Sequence, residues 1–352
     1  MEINKLKRFY KNKKIFLTGH TGFKGIWLYL ILSFLGAKVV GFSLPLKNND
    51  NFTFFKKNKK NFSSIFGNVL DYKKLSSSIK YYKPNIVFHL AAQSLVIESQ
   101  KYPQKTFETN IVGTNNVIDV VKKSSSVKSL VIATSDKCYL NKGKKNFFDE
   151  NSELGGVEPY SSSKSICEKL VNLYLKNYSK QIKFGLSTVR AGNVIGGGDF
   201  SKYRIVPDIV RNYYKKNIIL RNPNHIRPWQ NILDVCYAYV LIPIYHYKNK
   251  KKYSGPYNVG PLKRTSFKVS QLTKLLIKDF GVNYKIKLKK QKFTESKNLF
   301  LNSKKINKKL KWKPYFNIYM SSKNIVEWYK VYFNKKNLFK ITNYQIKNYF
   351  YR

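Results

Sequence analysis

Short apolar runs alternate along the first half of the chain with longer segments in which apolar residues recur at helical spacing. Ile15-Phe16-Leu17 breaks into glycine, the apolar run 26–35 follows, and Ala37-Lys38-Val39-Val40-Gly41-Phe42 is the next short run. That order predicts a strand, a tight turn, a buried helix and a second strand. A polar loop rich in lysine and asparagine covers residues 46–64, and Ser64-Ile65-Phe66-Gly67-Asn68-Val69 reads as a third strand ending at Asp71. Residues 72–82 have helical spacing, and residues 84–93 form a fourth strand that runs into the small side chains of Ala91 and Ala92. Helices over 105–123 and 160–180 precede strands over 129–134 and 185–189. Alternation of this kind predicts an α/β fold, a doubly wound parallel sheet with right-handed crossovers.

The break after the first strand carries chemistry. Thr18-Gly19-His20-Thr21-Gly22-Phe23-Lys24-Gly25 spaces its glycines three apart. One glycine permits the turn, one lets the backbone approach a pyrophosphate, and one lets helix and strand pack closely. Free N–H groups at the start of the helix then face the phosphates. Residues 1–190 are therefore expected to form a dinucleotide-binding domain, completed by parts of 231–260. Beyond Arg190 the alternation loosens: Gly192, Gly196, Gly197 and Gly198 mark a loop, residues 205–216 look helical, and short strands mix with helices. Residues 191–352 are expected to form a smaller, mixed α/β substrate-binding domain.

A second constellation lies at the end of the fifth strand, in Thr134-Ser135-Asp136-Lys137-Cys138-Tyr139, followed by Glu158-Pro159-Tyr160-Ser161-Ser162-Ser163-Lys164. Tyr160 and Lys164 are four apart, so a helix starting near the proline sets them on one face. An ammonium beside a phenol favours the phenolate, so Lys164 is expected to lower the Tyr160 pKa and ready it as a base toward a sugar hydroxyl. Such a pair is common on amphipathic helices. Behind a strand-end serine and a glycine-rich turn it reads as catalytic.

Composition narrows the picture without settling it. The net charge is +49, from 67 basic and 18 acidic residues, and an apolar fraction of 43% agrees with a folded chain. Such a field attracts anions of any kind, yet lysine, asparagine and tyrosine are abundant everywhere, and Lys56-Lys57-Asn58-Lys59-Lys60 reads as a solvated loop. Cys138, Cys167 and Cys236 show no metal-ligand spacing and read as reduced thiols, which suggests a cytoplasmic location. His20, His89, His225 and His246 show no ligand spacing either, so no metal is assigned. The run 26–35 is too short to span a bilayer.

With these motifs in place, the chain resembles the extended short-chain dehydrogenase/reductases, the NAD-dependent epimerase/dehydratase family with a Rossmann-type core. The resemblance rests on the glycine turn, Asp71, His89-Leu90-Ala91-Ala92, Thr109-Asn110-Ile111-Val112-Gly113-Thr114, Ser135, and Tyr160 with Lys164. It extends through Arg190-Ala191-Gly192-Asn193-Val194, Arg227-Pro228-Trp229, Tyr257-Asn258-Val259-Gly260 and Leu310-Lys311-Trp312-Lys313-Pro314. The wording of the turn, with Thr134-Ser135-Asp136-Lys137, is most similar to the branch that dehydrates CDP-glucose. The resemblance implies NAD as cofactor, held by Gly19, Thr21, Gly22, Phe23, Gly25, Asp71, Ala91, Ala92, Thr109, Tyr160 and Lys164. It implies catalysis by Ser135, Asp136, Lys137, Tyr160 and Lys164, and a nucleotide-sugar site that includes Ser135, Asn193, Arg204 and Arg227.

On this reading Tyr160 takes the proton of the sugar 4-hydroxyl, and Asp136, kept protonated by partial burial, releases the 6-hydroxyl as water. Lys137 stands where related dehydratases carry a glutamate as the C5 base; a lysine serves there only when neutral. Asp71 reads equally well as a helix N-cap. The second-strand end offers Asp50 as its acidic residue and lysines that would tolerate a 2′-phosphate, so NAD rests on the resemblance. Apolar faces of the helices 105–123 and 160–180 suggest a homodimer or tetramer built through a four-helix bundle. The expected product feeds deoxysugar supply for surface polysaccharide such as O-antigen. A 4-epimerase, a dehydratase for another nucleotide, and a non-catalytic RNA-binding protein remain as alternatives.

Overall fold

The computed structural model describes residues 3–45, 62–143, 147–214, 217–261, 267–282, 285–288 and 298–352. Seven parallel strands form its central sheet: β1 Lys14–Thr18, β2 Lys38–Ser43, β3 Ser63–Phe66, β4 Ile86–His89, β5 Ser129–Ala133, β6 Gly185–Ala191 and β7 Gly255–Val259. Their spatial order is β7-β6-β5-β4-β1-β2-β3. Ile15 of β1 sits level with Val39 of β2 and Ile86 of β4. The order reverses between β1 and β4, and a doubly wound sheet opens its crevice at such a point.

Alternation along each strand feeds two cores. Ile15, Leu17, Ile86, Phe88, Val131 and Ala133 pack on one face with the helices Phe23–Phe34, Ile232–Lys248 and Ile318–Phe333. Phe16, Val87, Leu130 and Ile132 pack on the other with the helices Tyr72–Tyr82, Gly113–Lys122 and Pro159–Asn177. Covering both faces is what lets strands as apolar as Leu130-Val131-Ile132 be parallel and buried. β7 and the helix Ile232–Lys248 come from the second half of the chain, and this helix packs against β5 and β6.

Element boundaries shift for local reasons. The helix expected over 105–123 begins at Pro103 and contains a π-type turn over Glu108–Val112, which brings Gly113 against the Val69 side chain, where a Cβ would come within 2.7 Å. The helix expected over 160–180 runs Pro159–Asn177, started by Glu158, whose carboxylate accepts from the N–H groups of Tyr160 and Ser161. Of the segment expected to be helical over 205–216, the described residues 205–214 are helical over Ile205–Arg211, and 215–216 lie outside the described residues. The third strand is shorter than expected. The loop segment 46–61, with Lys47, Asp50 and the Lys56–Lys60 cluster, lies outside the described residues.

Short two-stranded pairings beyond the sheet carry Asn193 and Arg227, and Arg204 is the N-cap of the helix Ile205–Arg211. Asn193–Ile195 runs parallel to Trp229–Asn231, and Ile226–Arg227 pairs with Phe267–Lys268. No helix among the described residues is long and apolar enough to cross a membrane, and all three cysteines are buried and free.

Candidate active site

A cavity of about 800 Å³ opens over the carboxyl ends of β1, β4, β5 and β6. Gly19, Thr21, Gly22, Phe23, Gly25, Ala91, Ala92, Thr109, Ser135, Asp136, Lys137, Tyr160, Lys164, Asn193, Arg204 and Arg227 all line it. Residues from across the chain thus converge on one crevice, with Asp71 as the exception.

The turn after β1 is built for close approach. Gly19 adopts φ 73°, and a Cβ there would lie 2.6 Å from the Ala91 nitrogen. A Cβ on Gly25 would lie 2.1 Å from the Gly19 carbonyl oxygen, so helix and strand meet only because Gly25 has no side chain. Gly22 is the N-cap of the helix Phe23–Phe34 with no side-chain cap, and its Cβ position would meet nothing nearer than 3.4 Å. The helix therefore presents uncapped N–H groups and its positive end to the cavity, which fits a dinucleotide pyrophosphate. Thr18 Oγ1 meets His89 Nδ1 at 2.8 Å, and His89 Nε2 meets Thr114 Oγ1 at 3.1 Å, tying the ends of β1 and β4 to the Gly113–Lys122 helix. Burial lowers the His89 pKa to about 3, so this link is neutral.

At the end of β2, Ser43 and Leu44 line the cavity. Ser43 Oγ meets Thr21 Oγ1 at 2.8 Å and His20 Nδ1 at 3.3 Å, and His20 Nε2 meets Ser64 Oγ at 2.8 Å. His20 is buried over Gly41 with its pKa lowered to about 4, mainly by that burial. Asp71 is exposed and accepts from the Lys74 N–H at 3.0 Å, capping the helix Tyr72–Tyr82. Its carboxylate thus serves the cap and lies outside the cavity lining, where Asn68, Val69 and Leu70 stand instead. The signal for them was Gly67-Asn68 at the strand end, overshadowed by the acidic residue three positions on.

The reacting end is assembled by β5 and the helix Pro159–Asn177. Ser135 Oγ donates to Asp136 Oδ1 at 3.0 Å and accepts from the Lys137 N–H at 3.2 Å, which fixes the turn after β5. Asp136 is 3% exposed, and its Oδ2 has no hydrogen-bond partner among the described residues. Burial raises its pKa to about 6, against the pull of Lys137, Ser135 and Arg227. Lys137 is only partly buried. Tyr160 and Lys164 are both buried, one turn apart.

The expected lowering of the tyrosine pKa is not what the structure contains. Burial pushes the Tyr160 phenol up to about 12, the Ser135 hydroxyl and Arg204 pull the other way, and Lys164 plays no resolved part. The Lys164 ammonium donates to the Ala133 carbonyl at 3.3 Å, and burial lowers its own pKa. Beneath this end, Glu168 accepts from Thr134, from Thr188 at 2.8 Å and from Arg190 at 2.7 Å, and Arg190 reaches Tyr139 at 2.8 Å. This buried network braces both ends of the Ser135–Tyr139 segment.

Cations ring the outer wall. Arg204 donates to Asp199 at 3.1 Å and to Ser94 at 3.2 Å. Arg227 donates to His225 Nδ1 at 2.9 Å and to the Ile226 carbonyl at 3.0 Å, while the neighbouring Trp229 Nε1 donates to the Phe267 carbonyl. Sequence reasoning missed Arg221, which lines the same wall and donates to the Tyr203 carbonyl at 2.8 Å, and Lys24, in the first turn of the glycine helix. Arginine is scarce in this lysine-rich chain, a signal that marks Arg221 as much as Arg227.

A parallel sheet with a glycine turn at its switch point, and Ser135, Tyr160 and Lys164 gathered at the crevice, defines a dinucleotide-dependent enzyme of the short-chain dehydrogenase/reductase class. The sequence profile of the GDP-mannose 4,6-dehydratase family matches residues 16–325, and the chain belongs to that family. It is 34% identical over 350 residues to the CDP-glucose 4,6-dehydratase of Salmonella typhimurium, covering 97% of this chain and 98% of that protein. Among solved structures it is similar to the dTDP-glucose 4,6-dehydratase of Bacillus anthracis in complex with NAD, with TM-score 0.75, 23% identity, and coverage of 90% of this chain and 96% of that one. The fold is also that of a UDP-glucose 4-epimerase from Thermotoga maritima, with TM-score 0.80, 21% identity, and coverage of 91% and 99%.

Proposed function

We propose that this protein converts CDP-glucose to CDP-4-keto-6-deoxyglucose and water. The observation that carries the dehydration is Asp136, a buried carboxyl with one unpartnered oxygen and a raised pKa beside the Ser135–Tyr160 pair. A 4-epimerase needs no acid to expel water. The glycine turn and the uncapped helix start fit NAD, with Lys164 placed for a ribose hydroxyl. When bound, NAD supplies the hydride acceptor for C4 and the donor for C6. Tyr160, through the minor fraction ionised against its raised pKa, takes the proton of the 4-hydroxyl while Ser135 holds that oxygen. The 4-ketone so formed acidifies the C5 proton, for which Lys137 is the candidate base. Asp136 protonates the departing 6-hydroxyl. Arg204, Arg227 and Asn193, joined by Arg221, hold the nucleotide diphosphate, for which guanidinium groups are suited.

Residues 1–190 with parts of 231–260 then act as the cofactor domain, and the rest of 191–352 as the substrate domain. Val112, Ile166 and Leu173 are exposed on the helical face between Pro103 and Asn177, and this face supports self-association through a four-helix bundle. We place the enzyme in the cytoplasm, supplying deoxysugar for surface polysaccharide. Incubation of purified protein with NAD and CDP-glucose, with UDP-, dTDP- and GDP-glucose in parallel, tests the reading. A 4-keto-6-deoxy sugar, read by its alkali-induced absorbance, is expected from CDP-glucose. Product only from another nucleotide sugar would move the specificity, and none from any would overturn the dehydration. Light scattering checks assembly, where a monomeric mass refutes the bundle.

A further inference from the structure

Part of the cavity is walled by apolar side chains from outside the seven-stranded sheet. Val206 and Pro207 come from the helix Ile205–Arg211, Leu220 ends the strand Asn217–Leu220, and Val269 opens the helix Val269–Phe280. That strand pairs with Lys285–Leu288 and takes no part in the central sheet. Arg221 follows it and lines the same cavity. Its Cζ lies over the Tyr203 ring, 5.4 Å from the centroid, and its Nη2 donates to the Tyr203 carbonyl at 2.8 Å and to Asp208 Oδ2 at 3.3 Å. Arg211 holds the other oxygen of Asp208. Tyr203 adopts φ 64°, and among the described non-glycine residues with positive φ it alone lines the cavity. A bulky residue is strained in that conformation, and such strain collects at ligand clamps. Its product here is a guanidinium fixed at one end. The Nε–H and both Nη1 protons form no hydrogen bond among the described residues.

We propose that Arg221, besides lending charge to the diphosphate, reads the nucleobase: an unspent N–H donates to N3 of cytosine and so selects CDP-linked sugars over those linked to UDP or dTDP. The proposal rests on the CDP-glucose reading above. A sugar held at Ser135 and Tyr160, on the central sheet, leaves the base at the far end of the nucleotide. An apolar wall with a few placed polar groups is the form a site for a flat heterocycle takes. Cytosine N3 is an acceptor. Uracil and thymine carry N3–H in that place, and guanine carries N1–H on the same edge. Arginine donates and never accepts, so those bases set a donor against a donor, which leaves polar groups unpaired on both sides. Asp208, the carboxylate beside Arg221, is engaged by two arginines, so the group left for the base is a donor.

Titration calorimetry of the full chain, saturated with NAD, against CDP, UDP, dTDP and the 3-deaza analogue of CDP tests this for the wild type and Arg221→Met. The analogue replaces N3 by C–H and keeps the shape of the base. The wild type is expected to bind CDP more tightly than UDP and dTDP, and 3-deaza-CDP about tenfold more weakly than CDP. Arg221→Met is expected to lower the Kd ratio of UDP to CDP about tenfold and to bring 3-deaza-CDP level with CDP. The analogue needs no substitution in the protein, so it holds the test should the variant not fold. Equal weakening of all four ligands in Arg221→Met, with the ratios unchanged, overturns the proposal and leaves Arg221 a diphosphate contact alone. Wild-type binding of 3-deaza-CDP as tight as that of CDP overturns it too. A wild type without preference for CDP brings down the CDP-glucose reading itself, and the proposal with it.

Discussion

Replacing Asp136 by asparagine separates chemistry from stability in one residue. The buried carboxyl has its pKa raised from 3.8 to about 6. At pH 7 roughly one molecule in ten then carries the proton needed to expel water, against about one in a thousand for an ordinary aspartate. An asparagine side chain carries no such proton, so Asp136→Asn should keep oxidation at C4, read as nicotinamide absorbance in a single turnover. It should slow release of the 4-keto-6-deoxy product by about 10²–10⁴-fold. In the wild type, elimination should fall as pH rises above about 6. The same burial costs stability. A group whose folded pKa is raised above its unfolded value destabilises the fold above the folded pKa and is neutral below the unfolded one. A displacement of about two pH units corresponds to about 3 kcal/mol. Asp136→Asn should therefore be more stable than the wild type by about that amount near pH 8, with the gain vanishing below pH 3.8, measured by denaturant unfolding. Loss of C4 oxidation together with elimination would refute the acid assignment. A stability gain independent of pH would refute the burial argument.

Three further outcomes follow from the geometry. Lys137→Met should retain nicotinamide reduction but lose water elimination; loss of both half-reactions together would sink the C5 assignment. Glu168→Gln leaves the buried Arg190 uncompensated and should cost about 3–5 kcal/mol in denaturant unfolding. Pairing it with Arg190→Met should recover part of that loss, and no recovery would contradict the pairing. Gly25→Ala brings a Cβ within 2.1 Å of the Gly19 carbonyl, so the turn must open and NAD affinity should drop on the order of tenfold or more in equilibrium binding. Unchanged affinity would mean the turn does not set the phosphate site.

The local half of this protein was legible in the order of its residues. Period-two and period-3.6 patterns are properties of neighbouring residues, so β1, the glycine turn, the buried helix after it and the strand-end Ser135 could all be read in order. The four-residue spacing of Tyr160 and Lys164 was enough to put them on one helix face. Burial and long-range pairing lay outside such reading, because they depend on which segments the sheet brings together. Tertiary packing made residues 255–259 the last strand of a sheet begun about 240 residues earlier, and brought Arg204, Arg221 and Arg227 to one wall. It committed Asp71 to a helix cap while Asn68 and Val69 faced the cavity, two uses that a strand-end carboxylate and amide present identically in sequence. It also decided the electrostatics. Desolvation by the surrounding chain outweighs nearby charge, so Tyr160 is raised rather than lowered and the Asp136 carboxyl is lifted to about 6.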